Sequence, residues 1–189
     1  MEKLKRTGNE KIIFSGKIFE IVRKQFRAGN SLVEFEIARR SPGVRLIIVK
    51  NDKILIVKEF RYELNGYDYR LPGGKVFDSL EEYKKFATNK KALMKHAVEA
   101  AKKECLEETG LIIKKIKHIH TSIAGLTIEW DLYYFVIDKF EESEDQKLGV
   151  GEIIHPQWKT FEEVKQLCLL NKIKEDRSVG VLLKFLAKI

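Results

Sequence analysis

The spacing of hydrophobic residues along this chain of 189 residues changes between the period of two residues that is typical of strands and the period of 3.6 residues that is typical of helices. Alternating or continuous apolar runs bounded by turn residues are typical of strands. In the N-terminal part such runs cover residues 12–19, 21–26, 32–38, 44–49 and 54–60. The first three indicate an antiparallel meander that ends near residues 40–43. The last two look like central strands joined by a hairpin loop at residues 50–53.

The period changes to that of a helix in the middle of the chain. Residues 92–109 carry an apolar stripe at helical spacing, and Gly110 stands where helices commonly end in a left-handed residue. Residues 78–91 are charged and roughly helical, and Ser79 with Glu82 resembles a capping box. Beyond Gly110 the pattern predicts extended segments at 112–118, 127–137 and 153–158, an acidic loop at 141–146, and helices at 161–170 and 178–187.

The end of the central helix presents three carboxylates. Glu104 and Glu108 are about one turn apart and lie one above the other, with Glu107 beside them. Like charges at this spacing destabilise an isolated helix by roughly 0.2–0.5 kcal/mol per pair. A bound cation would remove the penalty, and clustered carboxylate oxygens suit a hard divalent ion such as Mg²⁺, which binds substrate phosphates as well. The alternative is a solvated acidic helix face.

Composition and charge fit one catalytic unit. Hydrophobic residues make up 44% of the chain and charged residues 34%, which argues against long disorder. A chain of 189 residues is too short for two full-sized domains. The formal net charge of +8 favours an anionic partner without choosing between nucleotides and nucleic acid. No apolar run is long enough for a signal peptide or a membrane span, which predicts a cytoplasmic protein.

Residues 71–74, Leu-Pro-Gly-Gly, break regular structure and allow close approach of the backbone, and we call them the glycine loop. This loop and the glutamate-bearing helix together resemble those of the Nudix hydrolases. The family's sequence box reads Gly, five residues, Glu, seven residues, then Arg-Glu-apolar-any-Glu-Glu-any-Gly-apolar. Residues 103–111, Lys-Glu-Cys-Leu-Glu-Glu-Thr-Gly-Leu, match its second half, with Lys103 in place of the arginine. Residues 58–62, Lys-Glu-Phe-Arg-Tyr, and 70–74, Arg-Leu-Pro-Gly-Gly, are similar to the strand and loop before the box in the ADP-ribose and nucleoside-diphosphate-sugar pyrophosphatase branch. The resemblance implies an α+β Nudix fold, an α/β/α sandwich around a mixed β-sheet, preceded by the N-terminal antiparallel β meander.

The same resemblance implies a domain organisation. Residues 1–42 would form the meander, which in that branch is swapped between the subunits of a homodimer, and residues 43–189 would form the Nudix hydrolase domain. Lys95 stands where the box has its first glutamate, and Gly74 lies further upstream than the box allows. We therefore expect an insertion at about residues 76–91. The role of the displaced glutamate would be lost or taken by Glu81, Glu82 or Glu99.

By position, the resemblance also assigns site residues. The expected metal ligands are Glu104, Glu108, Glu107 and the Gly73 carbonyl, holding Mg²⁺ with Mn²⁺ as an alternative. Glu107 and Glu108 are expected to be catalytic, and the general base is expected in the acidic region, which offers Glu142, Glu144, Glu141 and Glu152. Guanidinium forks suit phosphate oxygens, which makes two arginines candidates for substrate contact. The expected substrate-binding residues are Arg61, Arg70, Gly74 and Glu129.

The function implied by the resemblance is Mg²⁺-dependent hydrolysis of the pyrophosphate bond of a nucleoside diphosphate linked to a sugar or similar group. ADP-ribose or a nucleotide sugar would be the substrate, and a nucleoside monophosphate would be released. Residues 122–125, Ser-Ile-Ala-Gly, lack the proline that ADP-ribose pyrophosphatases carry there, which weakens ADP-ribose specifically. Hydrolysis of nucleoside triphosphates or RNA caps remains an alternative, as does a Nudix-fold regulator without catalysis. A homodimer is expected, and a nucleic-acid or membrane partner is not.

Overall fold

The computed structural model describes residues 5–8, 10–143, 146, 148 and 153–189, apart from the side chain of Arg6. The strands are β1 (Lys5–Arg6), β2 (Lys11–Ser15), β3 (Phe19–Ala28), β4 (Ser31–Arg40), β5 (Gly43–Lys50), β6 (Lys53–Arg61), β7 (Gly66–Arg70), β8 (Leu111–Ser122), β9 (Ile128–Glu129), β10 (Leu132–Glu142) and β11 (Ile154–Thr160). The helices are α1 (Leu80–Phe86), α2 (Lys90–Thr109), α3 (Phe161–Leu169) and α4 (Asp176–Leu186), and one 3₁₀ turn follows β6 at Tyr62–Leu64. No helix among the described residues is long and apolar enough to span a membrane.

The N-terminal strands form an antiparallel sheet, as the alternating pattern predicts. The strand order is β1-β3-β4-β9, and β2 also pairs with β3. The hairpin of β3 and β4 turns over two residues, of which Gly29 has a φ of 58°. Glycine adopts this left-handed conformation without steric cost. The strand predicted over 12–19 is shorter in the structure, because the chain turns at residues 16–18 and Phe19 already begins β3.

The second sheet is mixed and contains the central strands. Its order is β11-β6-β5-β10-β8, with β7 beside β6. Strand β10 runs parallel to β5, while the remaining pairs are antiparallel. The middle position of β5 agrees with its apolar run, which only Arg45 interrupts, because such runs are typical of strands covered on both faces. The predicted hairpin between β5 and β6 turns at Asn51 and Asp52, whose φ angles are 49° and 57°.

Two predictions for the C-terminal half are wrong. Residues 127–137 do not form one strand, because β9 pairs with β4 of the N-terminal sheet while β10 belongs to the central sheet. Trp130 and Asp131 connect the two strands. Glu141 and Glu142 are the last residues of β10 rather than part of a loop, because they pair with Ile112 and Leu111 of β8. Residues 128–132 therefore join the two sheets beside the site described below.

Helices cover both faces of the central sheet. On one face, α2 buries Ala97, Ala101 and Cys105 against β5, β10 and their neighbours. Small side chains at these positions let the helix lie close to the sheet. On the other face, α3 and α4 contribute Val164 and Leu182 to a second core. This arrangement of helices on both sides of a mixed sheet confirms the predicted α+β fold.

Residues 76–91, where the insertion is expected, contain one short helix and a turn. Ser79 caps α1 by accepting a hydrogen bond from the Glu82 backbone N–H at 3.1 Å. The chain then turns, and the side chain of Asn89 caps α2. The rings of Phe77 and Phe86 are stacked, with centroids 5.7 Å apart, and both contact the ring of His96 on α2. This aromatic cluster fixes α1 against the helix that carries the glutamates. The division of the chain at residue 42 stays a prediction.

Candidate active site

Two of the three box glutamates face the glycine loop. The backbone N–H of Gly73 donates to Glu108 Oε2 at 2.8 Å. The carboxylate of Glu104 lies against Gly74, since a Cβ placed on Gly74 would be 1.9 Å from Glu104 Oε1. Gly110 ends α2 with a φ of 69°, as predicted. The helix therefore ends directly after Glu108, the second of the two carboxylates that meet the loop.

The loop is held in place by the first half of β5. Val44 donates its N–H to Gly74 O, and Leu46 donates to Pro72 O, both at 2.9 Å. Strand β6 pairs with β5 only at the hairpin end, so the loop takes the place of a neighbouring strand along the rest of β5. Gly73 has a φ of 147°, and a Cβ there would be 2.1 Å from Val44 O. Only glycine fits between the strand and Glu108.

These groups line one side of a cavity of about 290 Å³. Glu104, Glu108, Gly73 and Gly74 all contribute to it. The rest of the wall is rich in arginine and includes an indole ring, contributed by Arg40, Arg45, Arg61, Arg70 and Trp130. Carboxylates and guanidinium groups thus share one cavity at the junction of the two sheets. This composition suits a phosphate-bearing ligand held together with a cation.

Arg61 and Arg70, both predicted to bind substrate, share one carboxylate. Arg61 Nη1 donates to Glu59 Oε1 at 2.9 Å, and Arg70 Nη1 donates to Glu59 Oε2 at 2.8 Å. Arg61 Nη2 also donates to Glu63 at 3.0 Å. Glu59 was not singled out from the sequence, although it lies two residues from Arg61 on β6 and residues at that spacing share a face of a strand. Glu59 fixes both guanidinium groups at the cavity wall.

Arg45 forms a buried ion pair that the sequence analysis missed. Its Nε and Nη2 atoms each donate to one oxygen of Glu175 at 2.8 Å, and its Nη1 donates to Val44 O. Burial acts to raise the pKa of Glu175, but the hydrogen bonds and charge of Arg45 outweigh it and hold the pKa at about 2. The position of Arg45 inside the apolar run of residues 44–49 was the feature of the sequence that could have indicated a buried ion pair.

Trp130 lies between the two sheets in contact with two arginines. The guanidinium carbons of Arg40 and Arg177 are each 4.2 Å from its ring centroid. Arg177 Nη1 also donates to the backbone carbonyl of Trp130 at 2.8 Å. Guanidinium groups are attracted to the electron-rich face of an indole ring. Trp130 is therefore already stacked with side chains of this chain, and neither arginine was singled out from the sequence.

Among the described residues, the other predicted site residues do not line this cavity. Glu107 does not line it, and its carboxylate is 4.0 Å from Lys103 Nζ. Glu129 pairs with Arg39 and Lys24 and lines a separate cavity beside α1. Glu142 is exposed at the far end of β10 and pairs with Lys50 at 3.0 Å. Glu144 and Glu152 lie outside the described residues.

The electrostatics of the glutamates fit a divalent cation. Burial, reinforced by the charge of Glu104, raises the pKa of Glu108 to about 8, although the hydrogen bond from Gly73 opposes this. A cation beside these carboxylates would favour their ionised form. Among the described residues, no three His, Cys, Asp or Glu side chains converge to hold a metal on their own. Two carboxylates supplemented by substrate phosphates are the donor set that Mg²⁺ commonly uses.

Comparison with known proteins shows the family of the chain. A family model described as the NUDIX domain matches residues 39–179. No curated protein matches the chain. Among solved structures, the crystal structure of an ADP compounds hydrolase has a TM-score of 0.69 and 17% sequence identity, covering 97% of this chain and 92% of that chain. At this identity the similarity concerns the fold. The family match spans most of the chain, which therefore belongs to the NUDIX domain family and is a pyrophosphohydrolase of that family.

Proposed function

We propose that the chain hydrolyses the pyrophosphate bond of a nucleoside diphosphate linked to a sugar or similar group, with Mg²⁺ as cofactor and Mn²⁺ as an alternative. ADP-ribose or a nucleotide sugar is the proposed substrate class, and a nucleoside monophosphate is released. One observation carries this proposal. Glu104 and Glu108 meet the glycine loop on one side of a cavity whose other walls carry four arginines.

The residues of the chain divide the chemistry among them. Glu104 and Glu108 would hold the metal, which when bound supplies charge stabilisation and an activated water. The N–H of Gly73 fixes the orientation of Glu108. The arginines of the wall would receive phosphate oxygens and stabilise the charge that develops on the leaving phosphate. Most of the rate enhancement is therefore electrostatic. Glu107 belongs to the proposed catalytic set through the family's box rather than through a cavity contact.

The general base is proposed to be Glu144. Gln146 Nε2 donates to the backbone carbonyl of Glu108 at 2.6 Å, and the Ser143 N–H donates to Gly110 O at 2.8 Å. Both contacts hold residues 143 and 146 at the end of α2, and Glu144 lies between them in the sequence. Glu142 is the second candidate for the general base, because its carboxylate forms an ion pair with Lys50. Glu141 ranks with Glu142 for the same reason, since its carboxylate forms an ion pair with Lys114.

A homodimer is part of the proposal, with residues 1–42 as the part contributed to the partner subunit. The N-terminal sheet supports it by exposing several large apolar side chains, namely Ile12, Phe14, Phe19, Leu32 and Phe35. Large exposed apolar patches mark interaction sites. Glu129 remains proposed as a substrate-binding residue. A cytoplasmic location and an insertion at about residues 76–91 also stay proposals.

Product analysis tests the function. The purified protein is incubated with Mg²⁺ and a panel containing ADP-ribose, nucleotide sugars, nucleoside triphosphates and a capped RNA, and products are separated by chromatography. We expect release of a nucleoside monophosphate from a diphosphate-linked compound, and loss of this activity in Glu108→Gln by orders of magnitude. Release of pyrophosphate from triphosphates alone would favour the second enzyme class. Binding without turnover of any compound would favour a regulator and contradict the proposal.

A further inference from the structure

The arginines of the cavity differ in how their N–H donors are used. Arg61 and Arg70 donate to Glu59, and Arg45 donates to Glu175. Each of these guanidinium groups is therefore compensated by a carboxylate of the chain. The N–H donors that point to these carboxylates are already used, although a guanidinium group has further donors. These three arginines shape the wall, but their charges are largely neutralised before a ligand arrives.

Arg40 is held in a different way. Its guanidinium lies over the ring of Trp130, with no hydrogen bond or ion pair to a carboxylate among the described residues. Stacking uses the face of the guanidinium plane and leaves its N–H donors in the plane available. Burial, followed by the nearby charges of Arg45 and Arg177, lowers the pKa of Arg40. The charge of Glu175 opposes this, but no carboxylate contacts Arg40 directly among the described residues. The group is thus a half-buried cation without a direct carboxylate partner, in a cavity that suits phosphates.

Arg177 is attached to the same indole from α4. It stacks on the ring of Trp130, and its Nη1 also donates to the Trp130 carbonyl. Its Nη2 atom is buried and has no hydrogen-bond partner among the described residues. Leaving a buried donor unpaired is unfavourable, so hydrogen bonding alone does not account for the position of Arg177. Its position is explained by the ring and carbonyl of Trp130.

We infer that Arg177 is a positioning residue that fixes Trp130, and that Trp130 in turn presents Arg40 to an anionic group of the substrate. The inference rests on the proposed function and specifies it: Arg40 receives a phosphate of the nucleoside diphosphate, while Arg61 and Arg70 border the site. Arg40 and Arg177 both contact this ring, and no hydrogen bond joins the two arginines directly. Trp130 is therefore a support for a cation rather than a platform for a nucleobase.

A double-mutant cycle tests this relation with ADP as the probe, in the presence of Mg²⁺. Binding is measured by calorimetry for the parent, R40M, R177M and the double variant. We expect R40M to weaken ADP binding about tenfold or more, as for the loss of a charge-assisted hydrogen bond. We expect R177M to weaken it by about threefold in the parent and hardly at all in the R40M background, because positioning needs the residue that is positioned. K184M, which removes an exposed cation from the same helix, is the matched control.

Fluorescence of Trp130 provides a second readout that a purely structural role would not produce. The chain has two tryptophans, so W158F isolates Trp130. In this background R177M should increase quenching by acrylamide, while K184M should leave it unchanged. Should R177M not fold, R177K takes its place, since it keeps the charge and loses the planar fork.

Three results would overturn the inference. They are equal effects of R177M in both backgrounds, unchanged ADP binding in R40M, and absence of ADP binding by the parent. Turnover does not enter the cycle, so its outcome is separate from that of the proposed function. A coupled cycle without hydrolysis of the panel would reject the reaction and retain the inference. Hydrolysis of the panel together with additive effects of R40M and R177M on ADP binding would retain the proposed function and reject the inference.

Discussion

Arg45 and Glu175 form a two-point ion pair beneath the cavity, although they are 130 residues apart in the chain. Arg45 belongs to the central strand β5, and Glu175 immediately precedes α4. Glu175 also accepts from the Ser178 hydroxyl, which is 3.1 Å from the hydroxyl of the fully buried Tyr134. The pair and its hydrogen bonds therefore tie the start of α4 to two neighbouring strands at the site.

We expect Glu175→Gln to destabilise the protein by about 3–5 kcal/mol at pH 7, because it leaves the buried guanidinium of Arg45 without a counter-ion. The folded-state pKa of about 2 lies below the ordinary value of 4.5. The stability due to the charged pair is therefore complete above pH 4.5 and is lost as the pH falls toward 2. Urea unfolding of both proteins at pH 7, 4.5 and 3 should show the difference shrinking.

The control for this prediction is Glu162→Gln on α3, where the carboxylate is exposed. It should change the free energy of unfolding by less than about 0.5 kcal/mol at every pH. A difference between Glu175→Gln and the parent that stays constant with pH would contradict the role given to ionisation.

Glu108 shows the opposite pH dependence. Its folded-state pKa of about 8 lies above the ordinary 4.5, so ionisation between these values costs stability as the pH rises. In EDTA, Glu108→Gln should therefore be more stable than the parent at pH 8.5, by on the order of 2–4 kcal/mol, and similar to it at pH 4.5. Thermal unfolding measures this. Added Mg²⁺ should raise the melting temperature of the parent and leave that of the variant unchanged.

Glu99→Gln is the control on the same helix, because that carboxylate is exposed. It should behave like the parent at both pH values and with Mg²⁺. If Glu108→Gln were less stable than the parent at pH 8.5 without metal, the carboxylate would be compensated in the folded protein by a group other than a cation from solution.

Gly73 and Gly74 are adjacent, yet their replacement should have different effects. A Cβ on Gly73 meets the backbone of Val44 at 2.1 Å, which cannot move without disturbing β5. Gly73→Ala should therefore lower the free energy of unfolding by about 2–4 kcal/mol. A Cβ on Gly74 meets the Glu104 carboxylate instead, which is the end of a flexible side chain. Gly74→Ala should leave stability nearly unchanged while displacing Glu104.

The displacement of Glu104 by Gly74→Ala should lower activity by about a hundredfold, because misplacement of a catalytic group by about 1 Å has costs of this size. Urea unfolding and steady-state kinetics separate the two effects. Gly180→Ala is the matched control, since nothing lies within 4 Å of a Cβ there. Equal loss of stability in Gly73→Ala and Gly74→Ala would show that Glu104 is held as rigidly as the backbone of β5.

The parts of the site that follow from local sequence were predictable. Glu104, Glu108 and Gly110 are fixed relative to one another by helical geometry alone, and a glycine pair signals close backbone approach. The structure adds which face of the helix meets the loop, and Glu107 does not share it. That distinction depends on tertiary packing of α2, which the spacing of three glutamates does not specify.

The parts that depend on distant pairing were not predictable. Glu129 and Leu132 are three residues apart but belong to different sheets, because residues 130 and 131 cross between them. A continuous run of strand-forming residues gives no sign of such a crossing. The same holds for Arg45 and Glu175, since a buried arginine indicates that a partner exists without identifying it. Strand propensity and helical period are local, whereas these contacts are set by topology.

Glu59 leads to a final prediction about the substrate wall. Its two oxygens hold Arg61 and Arg70. Glu59→Gln replaces one oxygen by an NH₂ group, which donates and so opposes one of the two guanidinium groups. The geometry of both arginines should then be lost. We expect KM for the diphosphate substrate to rise about tenfold with a smaller change in kcat, because orientation of the bound phosphates is affected more than the metal site.

Glu63→Gln is the matched control, since Glu63 is exposed and contacts only Arg61 among these residues. It should change KM by less than about twofold, as expected for an exposed ion pair. If both variants had the same kinetics, Arg61 and Arg70 would be positioned by the backbone of β6 and β7 rather than by the carboxylate between them. A lower KM in Glu59→Gln would instead mean that Glu59 competes with the substrate for these arginines.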